Sequence, residues 1–99
     1  MALDLRFEWD ASKERANIRR HGVSFEEASS AFLDENGILI DDPSHSIGEE
    51  RFVLLGLTSS LRLLVICHCY RQQPDVVRLI SARKADKGER ENYFRRFKP

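Results

Sequence analysis

At 99 residues the chain has room for one domain and one modest core, and its 41% hydrophobic and 32% charged content is that of a globular protein. A net charge of zero conceals two opposite halves, because residues 1–50 hold 5 Lys/Arg against 12 Asp/Glu while residues 51–99 hold 11 against 4. With no repeat, low-complexity tract, signal-peptide pattern or apolar run beyond Leu63 to Cys67, the composition excludes linkers, secretion and a bilayer span, and predicts a soluble, intracellular protein.

Leu5 to Trp9 alternates apolar and polar residues, as a short strand does. Asp10 can then N-cap a helix that runs to about His21 and closes on Gly22. Ser24 and Glu27 have the spacing of a capping box, and Phe25, Ala28 and Phe32 recur at helical spacing, with Val23 placed to staple against Ala28. A short strand at Ile38 to Ile40 lies among acidic and turn-forming residues, followed by a turn at Asp42-Pro43-Ser44-His45. Three strands are predicted next: Arg51 to Thr58, Arg62 to Tyr70 and Val76 to Ala82. Their short connections, Ser59-Ser60 and Gln72-Gln73-Pro74-Asp75, imply an antiparallel meander. Asp86 and Glu89 open a last helix, with Tyr93, Phe94 and Phe97 as its apolar stripe and Arg90, Arg95, Arg96 and Lys98 toward water. The order β-α-α-β-β-β-β-α points to an α+β domain spanning residues 1–99, in which helices cover one sheet face and leave part of the other open.

Chemistry-bearing residues gather at the ends of the last two strands: His68, Tyr70, Arg71, Arg78, Ser81, Arg83 and Lys84, with Asp75 the one carboxylate among them in sequence. Guanidinium forks bind phosphate and can stabilise charge that develops as a phosphodiester breaks. His68 is the natural titrating member, and Tyr70 or Tyr93 could stack on a base. Against this stands the structural reading, with a satisfied sheet histidine and arginines paired to Glu49, Glu50 or Asp75. Cys67 and Cys69 lie two apart, so in a strand they share one face while His68 takes the other, and a common metal site is disfavoured. Two reduced, buried thiols are the simpler expectation.

Several ordered blocks bear a resemblance: Phe7-Glu8-Trp9-Asp10, Lys13, Asn17, His21-Gly22-Val23-Ser24-Phe25-Glu26-Glu27-Ala28, Glu49-Glu50-Arg51-Phe52 with Gly56, and Ile80-Ser81-Ala82-Arg83-Lys84-Ala85 with Glu89 and Tyr93. Over nearly the whole chain, Phe7 to Tyr93, the sequence resembles the BrnT toxins. The resemblance implies a RelE-like fold and a ribonuclease of a bacterial type II toxin-antitoxin system, cytoplasmic, halting translation and growth; the chemistry of the residues calls for no metal or cofactor. It implies a BrnA-type antitoxin as partner, with operator DNA bound only through the antitoxin. Combined with the reading of the residues, it gives His68, Arg71 and Arg83 as catalytic candidates and Arg51, Tyr70, Arg78, Lys84 and Tyr93 as groups that hold RNA. Lys13 and His21 match family positions but read as mainly structural, His21 because a basic residue suits a helix C-terminus. The alternative is a non-catalytic module that binds nucleic acid or a protein through the same arginines.

Overall fold

The computed structural model describes residues 5–42, 50–71 and 75–97; the expected turn at Pro43 to His45, the loop residues Gln72, Gln73 and Pro74, and Lys98 lie outside the described residues. The elements are β1 (Arg6–Glu8), α1 (Ala11–His21), α2 (Phe25–Ser30), β2 (Ile38–Asp41), β3 (Phe52–Leu57), β4 (Leu63–Tyr70), β5 (Val76–Lys84) and α3 (Lys87–Arg95), in the expected order. A single 3-10 turn at Ala31–Leu33 takes over from α2, so Phe32 falls in that turn and not in the helix.

Local chemistry accounts for the helix ends. Asp10 Oδ1 accepts from the backbone N–H of Ser12 and Lys13 at 2.8 and 3.2 Å, and Gly22, at φ 69°, donates to Ile18 O to close α1. Ser24 Oγ accepts from Glu27 N–H at 3.0 Å, but the Glu27 carboxylate turns away to Arg62, so only half of the expected capping box forms. At α3 the box is complete, with Asp86 and Glu89 each bonding the other's backbone N–H at 2.8 Å.

The sheet order is β1-β5-β4-β3-β2. The last four strands form the antiparallel meander, while β1 pairs parallel with β5 at the opposite edge, Arg6 to Glu8 against Val76 to Arg78. Between β4 and β5 the register passes from Cys67 opposite Ser81 to His68 opposite Leu79, leaving Ile80 as the extra residue of a bulge.

Period-two alternation divides the sheet. One face carries Leu54, Leu64, Ile66, Val77, Leu79 and Ala82, buried against Val23, Phe25, Ala28 and Ala31 beneath α2. Gly56 permits the close approach there, because a Cβ at that position would meet Ala31 O at 3.1 Å. On the other face α3 covers one end only, where Tyr93 packs on Leu55 and Leu63. The rest of that face stays open.

Helix α1 is attached by polar groups. Asn17 is its one buried residue. Its Oδ1 accepts from Ala82 N–H at 3.0 Å, and its Nδ2 donates to Ala82 O at 2.8 Å and to Val23 O at 2.9 Å. Since β1 runs along β5 only as far as Arg78, the Asn17 amide stands in for a neighbouring strand where that edge would otherwise be bare. Glu14 adds a second tie by accepting Phe25 N–H at 2.9 Å. Among the described residues, no helix is long and apolar enough to cross a membrane.

Candidate active site

The open sheet face forms a cleft of about 370 Å³, lined by His21, Asp42, Arg51, Val53, Val65, Cys67, Ile80, Ser81 and Arg83. Its composition follows from register. Val53, Cys67 and Ser81 sit side by side on β3, β4 and β5, with Arg83 beside Val65 one step along. The bulge at Ile80 bends β5 at the cleft, and α1, held by Asn17, brings His21 in over the strand edge.

Arg83 is held in a fixed pose. Its Nη1 and Nη2 donate to the two carboxylate oxygens of Glu89 at 2.9 and 2.8 Å, and Nη1 donates again to Lys84 O. A guanidinium has five N–H donors, so two remain for a ligand. The Glu89 bonds raise the Arg83 pKa and hold it charged. Burial pushes the Cys67 thiol up, against the opposing pull of Arg51, so it is not a ready thiolate. The cleft thus joins guanidinium groups, a hydroxyl, a thiol, one imidazole and the Asp42 carboxylate, a set able to bind an anion and move a proton beside it.

The other expected site residues divide among separate places. Arg71 and Arg78 come together as their strand positions required, yet Glu8 stands between them, at 3.4 Å from Arg71 Nε and 3.0 Å from Arg78 Nη1. The carboxylate comes from β1, which sequence proximity could not reveal. Five strand positions separate Arg78 from Arg83, about 15 Å along β5.

His68 requires a correction. It lies on the helix-covered face and is fully buried, its ring edge-on to Phe32 and Tyr70 and tilted over Phe52. Its Nδ1 donates to Ile66 O at 3.1 Å, Nε2 is buried with no partner, and burial lowers the pKa of the imidazole. It is a core residue on the face opposite Arg78 and Arg83. Tyr70 shares its cluster and is partly exposed at the sheet's end, with its pKa raised by burial. Lys84 is exposed at the end of β5 and points to the helix-covered side, opposite Leu64.

Tyr93 also departs from expectation. Only 2% exposed, it donates its hydroxyl to Asp34 Oδ2 at 2.5 Å, with its pKa pushed up to about 12 by burial and by that carboxylate. It fastens α3 to the body and offers no free ring for a base. Asp34 in turn stays below its ordinary value despite burial, because Tyr93 and the N–H groups of Leu57 and Asn36 all donate to it.

His21 is the group that sequence reasoning set aside. The available signal was the absence of an apolar stripe on α1: Lys13, Asn17 and His21, four apart, occupy one helix face with polar groups.

The profile of a family described as "Ribonuclease toxin, BrnT, of type II toxin-antitoxin system" matches residues 9–89. Among solved structures, the chain is similar to the crystal structure of the Brucella abortus ribonuclease toxin BrnT, with a TM-score of 0.64 and 18% sequence identity over 84% of this chain and 99% of that one. No curated protein gives a significant match.

Proposed function

The chain belongs to the BrnT family of ribonuclease toxins of type II toxin-antitoxin systems, and from that premise we propose that it is a metal-independent endoribonuclease acting through the cleft of His21, Ser81, Arg83 and Arg51. The observation that carries the reading is the convergence of an accessible imidazole with two guanidinium groups on one open sheet face. Metal-free RNA cleavage asks for little more. The ribose 2′-oxygen attacks the adjacent phosphorus as its proton leaves, the bond to the 5′-oxygen breaks, and that oxygen gains a proton.

In this reading His21 serves one of the two proton transfers, since histidine is the side chain whose ordinary pKa lies nearest neutrality. Arg83, steadied by Glu89, and Arg51 face the phosphoryl oxygens, where preorganised donors act most strongly on charge as it develops. Ser81 supplies a neutral hydrogen bond beside them. Arg71 and Arg78, shared with Glu8, hold more distant backbone, and Tyr70 is the one remaining candidate for base stacking. Cleavage halts translation and growth in a bacterial cytoplasm until a BrnA-type antitoxin covers the basic cleft, and operator DNA is bound by that antitoxin and not by this chain.

The test uses purified protein and single-stranded RNA in EDTA, with products checked for 2′,3′-cyclic phosphate ends. Wild type and His68→Ala are expected to cut, with circular dichroism confirming the fold of each. His21→Ala should lose about 10²- to 10⁴-fold in rate, the usual worth of a positioned acid or base. Undiminished cleavage by His21→Ala would overturn the assignment. RNA bound but left intact by the folded wild type would overturn the enzyme reading in favour of a binding module.

A further inference from the structure

We infer that the groove between α1 and the edge of β5 beyond β1 is a second phosphate subsite, in which Lys13 and Arg20 hold the RNA backbone to one side of the cleaved bond; this rests on the ribonuclease reading above. The groove has a volume of about 210 Å³ and is lined by Lys13, Ala16, Arg20, His21, Ile80 and Ser81, together with the amide of Asn17. His21, Ile80 and Ser81 line the main cleft as well, so the two are continuous around the bulge. A strand lying across Arg51 and Arg83 can pass His21 and continue over the sheet edge onto α1.

Charge identifies what would lie there. Among the described residues, Arg62 is paired with Glu27, Arg71 and Arg78 with Glu8, and Arg83 with Glu89, whereas neither Lys13 nor Arg20 makes a salt bridge, Lys13 having only a weaker electrostatic interaction with the capping Asp10. No carboxylate lines the groove. Glu14, the acidic residue of α1, is turned to Phe25 N–H, and Asp10 is occupied with the helix cap. Two exposed cations on a small-residue floor suit a repeating anion.

Spacing indicates how many phosphates are involved. Lys13 and Arg20 lie seven residues apart on one helix face, about 10.5 Å along the axis at 1.5 Å per residue. That distance spans about three nucleotides at 3.4 Å per nucleotide in a stacked strand. The contacts would go to sugar and phosphate, so the subsite adds affinity without reading sequence.

The test compares wild type with a Lys13→Ala/Arg20→Ala double variant on three readouts: cleavage of a long single-stranded RNA, cleavage of a dinucleoside monophosphate, and salt-dependent binding of an uncleavable 2′-O-methyl strand. The ratio of kcat/KM on the long RNA to that on the dinucleotide should fall about tenfold, mainly through KM, the scale of one or two phosphate contacts. The slope of log affinity against log salt should shrink by about 1.4, from about 0.7 per phosphate on single strands. An unchanged ratio with an unchanged slope overturns the subsite, even if antitoxin binding is lost, because the face would then serve a protein. Equal losses on both substrates also overturn it, by placing the two cations at the reacting phosphate. Should the wild type cut nothing, the ribonuclease reading fails alone, and the slope on the uncleavable strand still decides the subsite.

Discussion

Replacing Asn17 with alanine should cost this fold more than any other change on α1. The substitution removes three hydrogen bonds at 2.8, 2.9 and 3.0 Å, leaving Ala82 N–H, Ala82 O and Val23 O without their partner. A buried polar group left unsatisfied costs about 1–3 kcal/mol, so three cost roughly 4–6 kcal/mol when partial hydration is allowed. Alanine is the better helix former by about 0.6 kcal/mol, which offsets only a small part. The net loss of about 4–5 kcal/mol is a large share of the 5–15 kcal/mol that holds a domain together. With a urea m-value of about 1–1.5 kcal/mol per molar for a chain of this size, the midpoint should drop by about 3–4 M, read by circular dichroism. Asn17→Asp should be no better tolerated, because an oxygen would replace the donor that faces Ala82 O and Val23 O. Ile18→Ala, on the exposed side of the same turn, should stay within about 0.5 kcal/mol. A midpoint shift below about 0.5 M for Asn17→Ala would refute the reasoning, since it would mean that water already satisfies these groups and α1 is held by something else.

Three further outcomes are expected. Glu27 accepts Arg62 Nη2 and Nε at 2.5 and 2.8 Å and Ser60 Oγ at 2.6 Å, which, despite partial burial, holds its pKa down to about 2 from 4.5. The unfolded chain therefore takes up this proton first, so the contribution is complete above about pH 4.5 and is lost as pH falls toward 2. At 1.36 kcal/mol per unit this amounts to about 3 kcal/mol, and Arg62→Ala should flatten that part of the acid-unfolding profile. His68→Leu should be neutral or stabilising at neutral pH, because it removes a buried nitrogen that lacks a partner. The lowered folded pKa of His68 means that the unfolded state binds the proton as pH drops below its ordinary 6.5, so the variant should also lose less stability between pH 7 and 5. Leu61 closes the β3–β4 loop at φ 66° while 77% exposed, so Leu61→Gly should raise the thermal midpoint by several degrees as about 1 kcal/mol of left-handed strain is relieved.

Features encoded within a few residues were legible in the sequence. Asp10, Gly22, Ser24 and the Asp86–Glu89 pair marked the helix ends because a cap is a contact between near neighbours. The meander followed in the same way from short connections between apolar runs. What failed to show was long-range. Nothing local says that β1 lies parallel to β5, and that pairing places Glu8 between Arg71 and Arg78. Nor does α1 announce its partner, because an apolar stripe would signal a sheet face, whereas one asparagine amide signals only a partner with both a donor and an acceptor to offer.

The location of the candidate site turns on parity. His68 shares parity with Leu64 and Ile66, which form the core, while Cys67 shares it with Val65 on the open face, so alternation alone separates the histidine from the cleft. Grouping residues by the strand end they occupy overlooks that sign. Counting arginines by sequence half errs similarly, because Glu27 from the acidic half offsets Arg62 of the basic half, and Glu8 offsets one of the two charges of Arg71 and Arg78. Once those pairs are counted, the cleft keeps Arg51 and Arg83 of its own, and the exposed cations that border it, Lys13 and Arg20, belong to α1, an element of the acidic half. Its position there depends on the Asn17 amide, so the residue that completes the edge of β5 also sets His21 beside Arg83. Fold and site are therefore coupled through one side chain, and loss of activity on replacing Asn17 should track unfolding in urea, with no separate catalytic defect.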